Sequence, residues 1–177
     1  LLVGREGDAR RLLAVSQGGV ENRDPAVPHW LLLRSGRARP LADPNGAEAY
    51  LGTVVPGYPN LFTLYGPNTN GVTSIIYILE AQAEFVRRTL DEMSREGVRA
   101  VEIKRDIHDA YNAEIQRAMQ DTVWLANCNN YYRHPNGKVV TQFPYSGTRF
   151  VEMLSGVELD EFDRKEVTAC PESTTRR

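Results

Sequence analysis

Residues 60–82, NLFTLYGPNTNGVTSIIYILEAQ, contain the clearest structural pattern in the sequence. A short apolar run at residues 61–65 stops at Gly66 and Pro67 and passes through the polar residues 68–71 into a segment with helical periodicity. This order predicts a strand, a tight loop and the N-terminus of a helix. Such a connection directs backbone N–H groups and the positive end of the helix dipole at one place, which suits a phosphate, a carbonyl or a developing anion. We therefore expect any ligand chemistry to lie there.

The predicted strand carries apolar side chains on both faces, at Leu61, Phe62, Leu64 and Tyr65. Strands buried between two layers have this pattern, and a parallel α/β sheet explains it. We expect the partner strands to lie in sequence that is absent from the chain. Two apolar runs upstream, residues 12–15 and 30–33, can each form a short strand in a region otherwise punctuated by Gly and Pro.

A long amphipathic helix is predicted from Ser74 onward, because apolar positions recur at steps of three and four residues for about six turns. Thr73 or Ser74 suits its N-cap, and Gly97 suits the position just after its C-terminus. Charged residues between the apolar ones indicate a solvated face. The predicted buried stripe is Ile75, Ile78, Leu79, Gln82, Phe85, Val86, Leu90 and Met93.

A strand and a second helix are predicted next. Residues 98–104 alternate as a short strand with Val101 and Ile103 on one face. The second helix is predicted to begin at Asp106, with Asp109 reinforcing its first turn. Its predicted stripe is Ile107, Tyr111, Ile115, Ala118, Met119 and Val123.

A β-hairpin is predicted around the turn His134-Pro135-Asn136-Gly137, with Gly137 at the position of positive φ. Residues 130–133 and 138–141 flank this turn and are its predicted strands. The segment after Leu154 is polar, and we expect it to fray.

The bulk composition is ordinary for one globular domain: 177 residues, 41% hydrophobic and 25% charged. A formal net charge of −2 gives no reason to expect nucleic acid or an anionic membrane as a partner. Since no apolar run approaches the ~18 residues of a membrane-spanning helix and no signal-peptide pattern occurs, we expect a soluble cytoplasmic protein. The chain begins with Leu1 rather than Met, and we expect it to be a fragment.

Two motifs carry a family resemblance, AYLGTVVPGYPNLFTLYGPNTN at residues 49–70 and SIIYILEAQAEFV at residues 74–86, with weaker support from AYNAEIQ at 110–116 and TVW at 122–124. They resemble the C-terminal part of the flavin-containing monooxygenase superfamily, in particular its Baeyer–Villiger-like branch, which carries FAD and uses NADPH. The resemblance implies an α/β fold: the C-terminal part of a Rossmann-like flavoprotein with two dinucleotide-binding domains, here an incomplete sheet with helices and a β-hairpin.

This resemblance implies a division of the chain. Residues 1–45 are a poorly matching N-terminal segment, residues 46–124 the C-terminal part of the FAD-binding domain, and residues 125–177 a hairpin region with a polar tail. The GxGxxG fingerprints of the family and its FxGxxxHxxxW signature are absent. The NADPH site is therefore expected outside this chain.

The resemblance also implies the binding residues, because the family places this loop and helix against the pyrimidine edge of the flavin. It implies that FAD is faced by Gly66, Pro67, Asn68, Thr69, Asn70 and Ser74. The few hydrogen bonds of one loop contribute ~0.5–1.5 kcal/mol each. Ordering a free cofactor costs ~4–15 kcal/mol. We therefore expect the isolated chain not to retain flavin.

No catalytic residue and no metal site is predicted. The histidines are scattered over a loop (His29), an exposed helix turn (His108) and the hairpin turn (His134), without a carboxylate or nucleophile at a suggestive spacing. Cys128 and Cys170 belong to no metal-binding spacing and are expected to be unpaired thiols.

The resemblance implies that the parent protein uses FAD, NADPH and O₂ to oxygenate a small organic substrate, a ketone or an amine. This part would contribute the flavin-facing loop, and the isolated chain is not expected to be a competent enzyme. Two alternatives remain: another FAD-dependent reductase or dehydrogenase of the same architecture, and a non-catalytic α/β remnant. The substrate and the oligomeric state stay open.

Overall fold

A computed structural model of the chain describes residues 12–15, 46–71, 73–125 and 132–166. Within these residues the strands are β1 (Leu12–Val15), β2 (Leu61–Leu64), β3 (Val98–Ile103) and β4 (Phe162–Glu166). The helices are α1 (Ile75–Arg95), α2 (Arg105–Ala118) and α3 (Gly147–Ser155), with short 3₁₀ turns at Met119–Asp121, Val123–Leu125 and Leu159–Glu161. The described part of the chain is therefore α/β, with the predicted order of strand, loop and helix from β2 into α1.

Strands β1 and β2 pair in parallel, with Leu12 opposite Leu61 and Val15 opposite Leu64. The expectation that the partner strands of β2 lie in absent sequence is therefore wrong for one of them, because the apolar run at residues 12–15 supplies it. A parallel pair needs a long crossover, and residues 16–60 lie between the two strands. The other predicted upstream strand, residues 30–33, lies outside the described residues.

Helix α1 confirms the amphipathic prediction over most of its length. Its buried residues include Ile78, Gln82, Phe85, Val86 and Met93, and Gly97 follows its end with a φ of +68°. The prediction is wrong for Ile75, which is 47% exposed. The first turn lies beyond the packed part of the described chain, so Ile76 and Tyr77 are also exposed.

Strands β3 and β4 pair antiparallel, with Ile103 opposite Phe162. Val101 and Ile103 are buried on one face of β3, as predicted. The prediction that the chain frays after Leu154 is wrong up to residue 166, because Leu159 and Phe162 are buried in the core and bring β4 to the edge of β3. Residues 167–177 lie outside the described residues.

Helix α2 begins at Arg105, one residue before the predicted start, and ends at Ala118. Because the chain then tightens into 3₁₀ turns, Val123 is not part of the helical stripe and is 76% exposed. His108 was predicted on an exposed turn but is only 4% exposed. It shares the buried side of α2 with Tyr111 and Ile115, which explains the difference.

The predicted hairpin is present only as its turn. Gly137 has a φ of +93°, as predicted, and the His134 N–H donates to the Lys138 carbonyl at 2.8 Å. The pairing beyond this turn is a single antiparallel bridge between Arg133 and Val139, and residues 130 and 131 lie outside the described part. Residues 139–143 do not continue as a hairpin strand because their backbone binds the loop after β2.

The core lies between α1, β3 and α3. Aromatic rings meet there edge to face, with centroid distances of 6.4 Å for Phe62 and Phe85 and 5.1 Å for Phe143 and Phe150. Buried aromatic pairs of this geometry contribute beyond their buried area. This packing fixes α1 against β2, and so fixes the loop that joins them.

Candidate functional site

The loop between β2 and α1 turns sharply through left-handed backbone. Tyr65, directly after β2, has a φ of +57°, Asn68 a φ of +54° and Gly71 a φ of +94°. The Tyr65 hydroxyl donates to Asn70 Oδ1 at 2.7 Å, so the residue before Gly66 is hydrogen-bonded to Asn70 near the end of the loop. Non-glycine residues seldom adopt this conformation, and such outliers concentrate at functional sites. The predicted site residues 66–70 and Ser74 all belong to this connection.

Two of the predicted side chains point into the protein. Asn68 is almost fully buried, and its Nδ2 donates to the carbonyls of Val139 (2.9 Å) and Gln142 (2.7 Å). Thr69 is also buried, and its Oγ1 donates to the Gly66 carbonyl at 2.7 Å. These amide and hydroxyl donors hold the loop together and are not available to a ligand, whereas Asn68 Oδ1 has no hydrogen-bond partner among the described residues.

The backbone of residues 139–143 supports the loop from one side. The N–H groups of Asn68 and Asn70 donate to the carbonyls of Val140 and Thr141, each at 3.0 Å. The Phe143 N–H donates back to the Asn70 carbonyl at 2.9 Å. Gln116 of α2 holds this segment in turn, since its Nε2 donates to the Val139 carbonyl at 2.8 Å. The pattern GPNTN did not indicate this support, because the two segments are distant in sequence.

The turn at residues 50–53 supports the loop from another side. A Cβ atom added to Gly66 would lie 2.3 Å from the Gly52 carbonyl oxygen, so the two backbones touch directly. Leu51 and Gly52 both have positive φ, +50° and +61°, and Thr63 Oγ1 donates to the Gly52 carbonyl at 3.0 Å. In the sequence this stretch belongs to the resemblance motif at residues 49–70, which did not indicate its contact with the loop.

One buried amide joins the turn, the loop and α1. Gln82 is fully buried; its Oε1 accepts from the Tyr65 N–H at 2.7 Å, and its Nε2 donates to the Leu51 carbonyl at 3.1 Å. The sequence placed Gln82 in an apolar stripe without a role. A glutamine among buried positions is itself a signal, because buried amides require hydrogen-bond partners.

The start of α1 and the buried Gln142 leave polar groups near Gly71 without hydrogen-bond partners in the described part of the chain. The N-cap Ser74 makes no side-chain capping bond, and the first N–H groups of any α-helix lack intrahelical acceptors. Gln142 is 1% exposed, and its Oε1 has no hydrogen-bond partner among the described residues. A Cβ added to Gly71 would lie 1.9 Å from that oxygen. Donors and acceptors at one loop suit a planar group that has carbonyl oxygens and a ring N–H along one edge.

The electrostatics of the loop come from dipoles, since residues 66–74 carry no charged side chain. Burial raises the pKa of the Tyr65 hydroxyl, so it stays a neutral donor. Within the described residues no group of three or more His, Cys, Asp and Glu side chains can hold a metal ion. No helix in the same residues has the length and apolar character needed to cross a membrane.

Comparison with known proteins identifies relatives. No protein-family model matches the chain. It is 35% identical over 153 residues to a Baeyer–Villiger monooxygenase of Pseudomonas aeruginosa and 32% identical over 154 residues to an uncharacterized monooxygenase of Sinorhizobium fredii. An FAD-binding monooxygenase of Aspergillus niger is 28% identical over 124 residues. The chain is a homologue of Baeyer–Villiger and other FAD-binding monooxygenases. The predicted resemblance is confirmed.

These monooxygenases are much longer than the chain. The alignments include 84% and 85% of the chain but only 29% of the Pseudomonas protein and 23% of the Sinorhizobium protein. The chain thus spans about a quarter of the length of these relatives.

Solved monooxygenase structures share the fold. A cyclohexanone monooxygenase mutant from Rhodococcus sp. Phi1 bound to NADP⁺ superimposes with a TM-score of 0.60 at 22% identity, over 69% of the chain and 23% of that protein. OTEMO in complex with FAD and NADP superimposes with a TM-score of 0.57 over 68% of the chain and 23% of that protein, also at 22% identity. At such identities the likeness establishes the α/β fold alone.

Proposed function

We propose that this chain is the C-terminal part of the FAD-binding domain of a flavoprotein monooxygenase. The parent protein uses FAD, NADPH and O₂ to oxygenate a small organic substrate, a ketone or an amine. The observation that carries the proposal is the loop at residues 66–74, which combines left-handed backbone, an uncapped helix N-terminus and a buried unpaired acceptor at Gln142. The homology to FAD-binding monooxygenases supports the choice of cofactor.

Residues 66–70 and Ser74 would hold the pyrimidine edge of the flavin. Backbone N–H groups at the start of α1 suit its carbonyl oxygens, and the unpaired Gln142 oxygen suits its ring N–H. FAD held there would supply the redox chemistry, which is reduction by NADPH and activation of O₂ for oxygen transfer. The part played by α1 is electrostatic: a helix N-terminus stabilises nearby negative charge by ~0.3–1 kcal/mol when exposed and up to ~2 kcal/mol when partly buried.

The first turn of α1 supports the idea of a larger protein around this chain. Ile75, Ile76 and Tyr77 are 47%, 65% and 42% exposed, next to the loop that would face the flavin. Contiguous apolar side chains at a surface mark a place where another part of a protein or a ligand packs. The rest of the monooxygenase would supply that cover, together with the nucleotide sites for which the chain has no glycine-rich fingerprint.

Flavin retention in two preparations tests the proposal. The complete protein that contains this sequence and the 177-residue chain are each mixed with excess FAD, desalted and measured by visible absorbance. We expect the complete protein to keep one flavin per protein chain and the isolated 177-residue chain to be colourless. A complete protein without flavin would contradict the proposal and favour a non-catalytic α/β remnant. Retention by the isolated chain would contradict its assignment as one part of the site.

The reaction is tested separately on the complete protein. NADPH oxidation and O₂ consumption are followed with a panel of ketones and amines, and incorporation of oxygen from ¹⁸O₂ into product is measured by mass spectrometry. We expect labelled product from at least one substrate class. NADPH oxidation without labelled product for any substrate would instead assign a reductase or dehydrogenase of the same architecture.

A further inference from the structure

Gln82 has a bonding pattern that a packing residue does not need. Its side chain is 0% exposed, yet every polar atom of the amide is used. Oε1 accepts from the Tyr65 N–H at 2.7 Å. Nε2 lies within hydrogen-bond distance of three oxygens: the Leu51 carbonyl (3.1 Å), Thr53 Oγ1 (3.0 Å) and the Gly52 carbonyl (3.3 Å). One side chain of α1 therefore binds both the turn at residues 50–53 and the first residue of the loop.

The backbone held by Gln82 is in a conformation that side chains disfavour. Leu51, Gly52 and Tyr65 have φ values of +50°, +61° and +57°. Such conformations persist only where the surrounding structure imposes them. The Gln82 amide is bonded to all three residues, so it is the group best placed to impose them.

Turn and loop are also in direct contact with each other. A Cβ on Gly66 would lie 2.3 Å from the Gly52 oxygen, and a Cβ on Gly52 would lie 2.2 Å from Thr69 Cγ2. A displacement of the turn is therefore transmitted to the loop without an intervening side chain. The amide of Gln82 thus fixes the position of the loop in two ways: directly through its bond to Tyr65, and indirectly through its bonds to the turn.

We propose that Gln82 is the positioning residue of the flavin-facing loop: its amide holds the turn at residues 50–53 and the loop after β2 in fixed positions relative to α1. This inference rests on the proposed function and adds a residue that the loop motif does not contain. Gln82 does not touch the flavin; it acts through the backbone of residues 51–53 and 65–66.

The chemistry of the position selects glutamine. It requires a donor and an acceptor at the end of a side chain of this length, and an amide supplies both at every pH. A carboxylate would place an oxygen at the position of Nε2, where three oxygens already lie, and burial would raise the pKa of that carboxyl group. A neutral carboxylic acid restores one donor and one acceptor, so the Gln82→Glu variant is expected to recover as the pH falls.

Three variants test the inference: Gln82→Met, Gln82→Glu and the control Thr89→Val. Methionine keeps a similar length without hydrogen bonds. Thr89 is buried in the same helix, and its Oγ1 donates to the Phe85 carbonyl at 2.9 Å. The control variant removes a buried hydrogen bond of α1 that does not involve the loop. It therefore shows how much of any effect comes from a general loss of stability.

The first readout needs no flavin. Hydrogen–deuterium exchange of the Tyr65 amide is measured by NMR in the 177-residue chain. In Gln82→Met we expect exchange at Tyr65 to accelerate by about tenfold or more relative to core amides, because its buried acceptor is lost. In Thr89→Val the ratio should stay unchanged. An unchanged ratio in Gln82→Met would overturn the inference.

The second readout uses the complete flavoprotein. We expect Gln82→Met to alter the visible flavin spectrum and reduction potential and to weaken FAD binding by about tenfold or more, and Thr89→Val to leave the potential unchanged. Gln82→Glu should approach the original spectrum at low pH and depart from it at high pH. Should Gln82→Met fail to fold, this pH profile decides: a spectrum of Gln82→Glu that matches the original at every pH overturns the inference. Absence of flavin from the unmodified protein would contradict the proposed function instead, while the exchange readout still decides the role of Gln82.

Discussion

Asn60 joins the β1–β2 sheet to the β3–β4 sheet. Its replacement should show how much this junction contributes to stability. It lies directly before β2, is buried and has a φ of +59°. Its N–H donates to the Val101 carbonyl at 3.0 Å, and its Oδ1 accepts from the Val101 N–H, also at 3.0 Å. Its Nδ2 donates to the Arg99 carbonyl at 3.1 Å. One residue therefore pairs with β3 as a short strand would.

The expected loss can be worked out from these contacts. Asn60→Ala removes two side-chain hydrogen bonds of about 1 kcal/mol each and leaves the buried Val101 N–H without an acceptor. Placing alanine in left-handed backbone adds about 1 kcal/mol. We expect a total of about 3 kcal/mol. Asn60→Asp keeps the acceptor and the tolerance of positive φ and loses one donor, so about 1–2 kcal/mol is expected.

Urea unfolding of the 177-residue chain, followed by far-UV circular dichroism, measures both losses. With a slope of about 1–3 kcal/mol per molar urea, 3 kcal/mol lowers the midpoint by about 1–3 M. Gln120→Ala is the control, because Gln120 is exposed and bonded only weakly, at 3.5 Å, to the Gln116 carbonyl. It should cost less than ~0.5 kcal/mol. The reasoning is refuted if Asn60→Ala costs no more than the control, or if the Asp and Ala variants are equal.

Three further outcomes follow from the described geometry. Gly52→Ala should destabilise the chain more than Gly57→Ala. Both glycines have positive φ, but a Cβ at Gly52 would lie 2.2 Å from Thr69 Cγ2, whereas a Cβ at Gly57 would meet nothing within 4 Å. Thermal unfolding compares the two variants, and equal losses of stability would contradict the contact at Gly52. Tyr111→Phe should raise the pH of alkaline unfolding: burial raises the pKa of the Tyr111 phenol in the folded state, so its contribution is present below the ordinary value of about 10 and is lost as the pH rises. A pH titration followed by circular dichroism measures this, and an unchanged midpoint would show that the phenol ionises without unfolding. Gly71→Ala should reduce flavin affinity of the complete protein by about tenfold or more, because its Cβ would lie 1.9 Å from Gln142 Oε1; equilibrium titration with FAD measures it, and unchanged affinity would show that the loop adjusts.

Local periodicity predicted the parts of the fold in which local contacts dominate. Helix α1 has 21 residues, and five residues of the predicted stripe between Ile78 and Met93 are buried, because a long amphipathic segment repeats its signal at every turn. Leu79 and Leu90 of the stripe are half-buried. The first turn of α1 did not follow, since Ile75 lies outside the core that the described residues form and is 47% exposed. Strand β4 was missed because it has one buried apolar residue, Phe162, and forms where the edge of β3 accepts it.

The candidate site was located by its motif but not by its supports. Residues 66–70 and Ser74 form one connection, and their contact with flavin stays a prediction. The motif could not indicate that the Asn68 side chain turns inward, because its partners at residues 139 and 142 are some seventy positions away in sequence. Gln82 and Asn60 were missed for the same reason: each bonds to backbone that is near only after folding.

The contact between Gly52 and Gly66 has a consequence for loop grafting. Because the two backbones touch without side chains between them, a loop transplanted from a related protein will fit only together with the turn at residues 50–53 that it was shaped against. Libraries that vary residues 67–70 would need to leave both glycines untouched. The exchangeable module therefore includes at least two segments of chain, which are separated by β2 in sequence and in direct contact at Gly52.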